Sequence, residues 1–229
     1  MEASSVAKGP TDPAGTPAEP GRDCPLCPRL VAFRQEWREK EPDWHNAPVP
    51  TFLPAEGAGG VELLIVGLAP GVRGANRTGR PFTGDYAGDL LYSTLARYGL
   101  ANDSFDARPD DGLVLKRTAI TNAVRCVPPE NKPVGAEIAT CRRFLEAAIA
   151  RFDSLSTIVT LGKIAHDSTL RALGVKLKDA PFRHGGRFEV GALTLFSTYH
   201  CSRYNTNTGR LTPEMFHKVF EAASAHLKR

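Results

Sequence analysis

Apolar residues recur along this chain with two different spacings, and each spacing predicts its own kind of element. Leu63-Leu64-Ile65-Val66 is an unbroken apolar run between Glu62 and Gly67, the pattern of a strand buried on both faces. Residues 117–124, 157–161, 187–190 and 193–198 read as further strands, the last two joined by Gly191-Ala192 as a two-residue hairpin. Helical spacing places Leu30, Phe33 and Trp37 on one face over 30–40, and Leu90, Leu91, Thr94 and Leu95 over 86–98. It also puts Ile138, Cys141, Leu145, Ala148 and Ile149 on one stripe over 133–152, with another helix over 162–173. A last helix opens at Thr212-Pro213, a hydroxyl cap followed by proline at the first position. The proline- and glycine-rich stretch 41–60 is expected to wrap the surface. Strands alternating with helices imply one three-layer α/β domain with a mainly parallel sheet, beginning near residue 23. Residues 1–22, almost without large apolar side chains, predict a disordered tail.

Composition narrows the class. The chain has 229 residues, 41% of them hydrophobic, with no long apolar run and no apolar N-terminal segment of a secretion signal, which predicts a soluble cytoplasmic protein. A net charge of +4 permits a polyanionic partner without requiring one. The five cysteines do not suggest a disulfide framework. Cys24 and Cys27 form a CxxC pair, Cys126 and Cys141 follow far downstream, and together they offer four sulfur ligands for a zinc ion or an iron-sulfur cluster. Spacing alone leaves zinc, a cluster and four separate buried thiols open.

The richest chemistry follows the first strand. Residues 67–85, GLAPGVRGANRTGRPFTGD, leave a strand's carboxyl end, where open α/β sheets bind ligands. Five glycines there permit close backbone approach. The stretch lacks the GKS/GKT ending of a P-loop and the GxGxxG spacing of a dinucleotide site. Arg73, Arg77, Arg80, Phe82 and Asp85 suggest instead a loop that handles a base and a phosphate backbone together. Asp85 also suits a plain helix cap. Three further strand ends present polar groups: Asn122, Gly162-Lys163, and residues 199–205 with His200.

In combination, GLAPG at 67–71, ANRTGRPFTGD at 75–85, TNAVRCVPPENKP at 121–133 and YHCSRYNTNTGRLTP at 199–213 resemble the uracil-DNA glycosylase superfamily, closest to family 5. The resemblance implies a glycosylase domain over 23–229 and a 4Fe-4S cluster on Cys24, Cys27, Cys126 and Cys141. It implies removal of uracil, and of deaminated bases such as hypoxanthine and xanthine, from double-stranded DNA by a monomer that flips the nucleotide. Phe82 would then stack on the base within a pocket floored by Gly67 and Ala69. Asn122 would read the base edge, His200 would hydrogen-bond the departing base, and Asp85 would stabilise the sugar cation or orient water. Arg203, Tyr204 and Asn205 would enter the minor groove, and Arg73, Arg77, Arg80, Arg125, Lys132, Lys163 and Arg210 are phosphate-contact candidates. Two departures stand out: Ala69 sits where other families of the superfamily carry an acid or amide, and Cys201 where proline usually follows the histidine. The missing acid favours a competing reading, a non-catalytic iron-sulfur module that binds nucleic acid. A third is a zinc-stabilised nucleotide-binding domain.

Overall fold

The computed structural model describes residues 19–227. The tail expected over 1–22 therefore falls outside it apart from residues 19–22. Within those, the Glu19 carboxylate pairs with Arg125 at 2.8 Å and Arg151 at 2.9 Å.

Five strands, β1 (Leu63–Gly67), β2 (Thr118–Asn122), β3 (Thr157–Leu161), β4 (Gly186–Val190) and β5 (Leu193–Thr198), form one sheet in the order β2-β1-β3-β5-β4. All pairings are parallel except the β4/β5 hairpin, whose turn is made by Gly191 at φ 60°. Among the described residues seven α-helices accompany it: α1 (Pro28–Lys40), α2 (Ala75–Thr78), α3 (Tyr86–Arg97), α4 (Gly135–Ala150), α5 (Lys163–Ala172), α6 (Arg203–Asn207) and α7 (Pro213–Leu227). The alternation of side chains along β1 divides the layers. Leu63 and Ile65 join Leu91 and Leu95 of α3 and Phe216 and Phe220 of α7 in one core. Leu64 and Val66 join Leu145 and Ala148 of α4 and Ala165 of α5 in the other. Every residue of β1 is buried, as the unbroken apolar run requires, and each large side chain there contributes about 1.5–3 kcal/mol of transfer free energy. The three-layer arrangement and the mainly parallel sheet read from the sequence are both present.

Three local expectations change. The strand expected over 117–124 is shorter, because Arg117 has φ 54° and leaves extended geometry before it begins. The 41–60 stretch is more than a surface wrap: Ala47, Val49 and Thr51 are buried, and Phe52 exchanges both backbone hydrogen bonds with Ile120 on the free edge of β2. In α1 the inner face carries Leu30 and Arg34, while Trp37 stacks on Trp44 at 5.4 Å. The last helix starts as expected, with Thr212 Oγ1 accepting the Met215 amide at 3.2 Å.

Candidate active site

The carboxyl ends of β1, β2, β3 and β5 bring distant segments together. Gly67 and Asn122 are paired at the ends of β1 and β2. A Cβ on Gly67 would lie 2.4 Å from Asn122 Oδ1 and 2.7 Å from the Phe82 ring, so only glycine leaves room for both side chains. Phe82 is 6% exposed and has φ 54°, unusual for a bulky residue. Tyr92 Oη holds it there by donating to the Pro81 carbonyl at 2.5 Å, and Gly88 packs so closely that a Cβ would lie 2.0 Å from the Phe82 carbonyl oxygen. The Phe82 and His200 rings are 5.9 Å apart and tilted by 30°. Phe82, Asn122, Gly67 and His200 therefore form one small assembly.

Beside it opens a cleft of about 580 Å³ whose wall includes Ala69, Asp85, Tyr86, Gly162, Lys163, Tyr199 and His200. Asp85 occupies the residue before α3 yet makes no side-chain capping bond, and its buried Oδ1 has no partner. Capping thus leaves Oδ1 unaccounted for, although the Ala87 and Gly88 amides of the first turn lie close to the carboxylate. Burial raises the Asp85 pKa, against the pull of the Gly88 and Ala87 amides. Gly74 makes room for the carboxylate: a Cβ there would lie 2.5 Å from Oδ2. His200 Nδ1 is buried and unpartnered, and burial lowers this pKa to about 4, so the imidazole is neutral near pH 7.

The His200 turn is held by its neighbours. Asn205 Nδ2 donates to the His200 carbonyl at 2.9 Å, so this residue supports the turn from α6. Cys201 is fully buried, and its thiol donates to the Ala87 carbonyl at 3.5 Å, tying the histidine turn to the first turn of α3. Burial, followed by the nearby Asp85 charge, raises the Cys201 pKa.

The basic candidates separate into two groups. Arg203 and Arg210 line the cleft, stacked over Tyr86 at 5.2 Å and Tyr199 at 4.7 Å, and Lys163 lines it in an ion pair with Asp167. Arg73 and Arg77 are exposed on the glycine-rich loop, Lys132 is exposed beside Glu130, and Tyr204 is 72% exposed. Arg80 and Arg125 are not available to phosphate. Arg80 is buried in a two-bond pair with Asp111 at 2.7 and 2.8 Å and also donates to Thr83 and to the Arg108 carbonyl. Arg125 is 1% exposed and bonded to Val49, Thr51 and Glu19.

The family model described as "Uracil DNA glycosylase superfamily" matches residues 54–224. The chain belongs to the uracil-DNA glycosylase superfamily. A Type-5 uracil-DNA glycosylase of Thermus thermophilus is 44% identical over 207 residues, covering 87% of this chain and 92% of the relative. One of Mycobacterium tuberculosis is 43% identical over 210 residues, 87% of this chain and 76% of the relative. A Type-4 uracil-DNA glycosylase of Sulfurisphaera tokodaii is 30% identical over 179 residues, 75% and 74% of the two chains.

In this superfamily member the four cysteines surround one small apolar cavity shared with Leu30, Arg34, Val124 and Phe144. Ala69 packs on the same cluster while lining the cleft, so the thiols and the site adjoin. Arg34, 2% exposed, points Nη1 at Cys126 Sγ at 3.7 Å, and the Arg125 amide donates to Cys141 Sγ at 3.3 Å. Burial pushes Cys126 up to about 12 and Cys141 to about 11. Among the described residues, no three His, Cys, Asp or Glu side chains gather closely enough to hold a metal ion. Sequence reasoning missed Arg34, since an arginine on a helix normally faces solvent. It also missed the supporting role of Asn205, whose side-chain bond depends on tertiary placement. Among the described residues no helix is long and apolar enough to cross a membrane.

Proposed function

We propose that this protein is a DNA-repair glycosylase that hydrolyses the N-glycosidic bond of uracil, and of hypoxanthine and xanthine, in double-stranded DNA after flipping the nucleotide out of the helix. One observation carries this reading: Phe82, Asn122 and His200 meet at one rim of the sheet, with an unpartnered Asp85 in the wall of the adjoining cleft.

A base stacked in a duplex is out of reach of water, and a mispaired one is the cheapest to extrude. The Phe82 face suits any planar base, which favours a broad range of lesions. The Asn122 amide both donates and accepts, matching the polar edge of uracil or a deaminated purine. As the glycosidic bond breaks, its electron pair leaves with the base and the sugar gains oxocarbenium character. A neutral His200 offers one N–H to the base oxygen that gains this charge, and a donor of that kind counts most in a dry site. Asp85 Oδ1, which has no partner, is free to stabilise the sugar cation or to orient the water that adds to it, which would compensate for Ala69 in the first motif.

Cys24, Cys27, Cys126 and Cys141 would hold a 4Fe-4S cluster. Four thiols lining one apolar cavity suit that group by donor chemistry, although no three of them gather closely enough for a single metal ion. Its contribution when bound would be structural, joining the segment before α1 to the loop that follows Asn122.

The decisive assay is base release from duplexes carrying U:G, hypoxanthine or xanthine, scored as alkali-labile sites. Release of uracil together with at least one deaminated purine is expected. DNA binding without release of any of the three would replace this reading with a non-catalytic module.

A further inference from the structure

His200 is held from both sides of its turn, and the chain just before it is bonded to a residue outside every motif. Residues 181–186 run beside the end of β5: the Gly185 amide donates to the Ser197 carbonyl at 2.8 Å, and Ser197 Oγ donates to the Arg183 carbonyl at 2.6 Å. Between these two bonds stands His184. Its ring stacks on Tyr199, with centroids 5.2 Å apart and planes 17° from parallel. Its Nδ1 accepts the Tyr199 amide hydrogen at 3.3 Å and lies 3.2 Å from Thr198 Oγ1. A backbone N–H is a donor at every relevant pH, so Nδ1 must carry the lone pair and Nε2 the proton.

We propose that His184 is a positioning residue for base release: by accepting the Tyr199 amide hydrogen it fixes the peptide that carries His200. This rests on the glycosylase reading of His200. A displacement of about 1 Å in a reacting group costs up to about a hundredfold in rate, so a bond one residue away suffices to matter. Protonation of the ring would turn Nδ1 into a donor facing another donor and release the turn. Burial alone keeps the His184 pKa below its usual 6.5, so the accepting form prevails at neutral pH. Two cations lie on the surrounding elements, Arg183 with its guanidinium over Phe188 and Arg210 over Tyr199. Among the described residues, no carboxylate forms an ion pair with His184 to favour its charged form.

Two substitutions test this by single-turnover release of uracil from a U:G duplex. H184N keeps an acceptor and does not titrate, whereas H184F keeps the ring's bulk and loses the acceptor. Near pH 8, H184F is expected to be slower by about tenfold or more with DNA affinity unchanged, and H184N to stay within about threefold of the wild type. On acidification below about pH 6.5 the rate of the wild type relative to H184N is expected to fall, because the loss due to Asp85 is common to both. In an H200A background, H184F is expected to add no further loss. Nitrogen NMR of the imidazole is expected to show the proton on Nε2. A fully active H184F, an equal H184F loss with and without His200, or a proton on Nδ1 would overturn the proposal and leave the glycosylase reading standing. Failure of the wild type to release any base would overturn both.

Discussion

Asp85 is a carboxylate whose cost to the fold is visible. Its Oδ1 is buried without a partner and its pKa is raised, so the folded protein binds this proton more readily than the unfolded chain does. At neutral pH the ionised form therefore opposes folding. D85N is expected to stabilise the protein by about 1 kcal/mol in denaturant titrations, in the manner of active-site residues that trade stability for activity. The same shift places the Asp85 limb of the wild-type rate profile above the ordinary Asp value of 3.8, and D85N should remove that part of the acid loss. His200 has the opposite sign. Its folded pKa of about 4 lies below 6.5, so the unfolded chain binds more protons between those values and stability falls as pH drops through that window. His45, His166 and His184 are lowered by burial as well, so the melting temperature should decline below about pH 6.5. A melting temperature unchanged down to about pH 4.5 would show these rings to be solvated. Gly67 is set by steric room, and G67A should displace Phe82 and Asn122 together, reducing uracil release far more than duplex affinity.

At the scale of elements, the glycine-rich loop depends on a buried ion pair. The Asp111 side chain is fully inaccessible and its carboxyl is held well below the usual range by Arg80, which also stacks against Phe52, Tyr92 and Phe105. R80A leaves that carboxylate without its counter-charge, held only by the Asp106 and Leu113 amides, an expected loss of about 3 kcal/mol measured by chemical denaturation. A change below about 1 kcal/mol would return Arg80 to the DNA-contact group. This pair shows where sequence reading stops. The strands and helices were legible because burial on two faces and helical stripes leave periodic marks, as in 63–66 and 157–161. The catalytic candidates were legible because Asn122 ends β2, His200 follows the end of β5, and Phe82 and Asp85 sit in the glycine-rich loop after β1. Arg80 and Arg125 carry the same letter as Arg73 and Arg77, and only the packing of 105–113 and 47–51 around them decides which are buried. The His184 contact left no mark at all, since it joins residues 15 apart through a ring nitrogen.

For the whole molecule, exposed cations gather where the cleft opens: Arg203 and Arg210 in its wall, Arg73 and Arg77 on the neighbouring loop. Duplex affinity should fall with added salt, and R203A should reduce the slope of log K against log salt by about 1 without altering the rate at saturating enzyme. A cluster on the four cysteines would make assembly depend on iron. C141A is therefore expected to yield colourless protein with little iron and a loosened 122–133 loop, read by hydrogen exchange, whereas C201A should retain full iron. The claim on which the rest depends is that segments far apart in sequence act together on one extruded base. Single-turnover uracil release by D85N and H200A, with duplex affinity measured in parallel, tests it most directly. Each rate should fall by about a hundredfold or more while affinity stays within about threefold. Wild-type rates in both variants, or losses confined to binding, would contradict it.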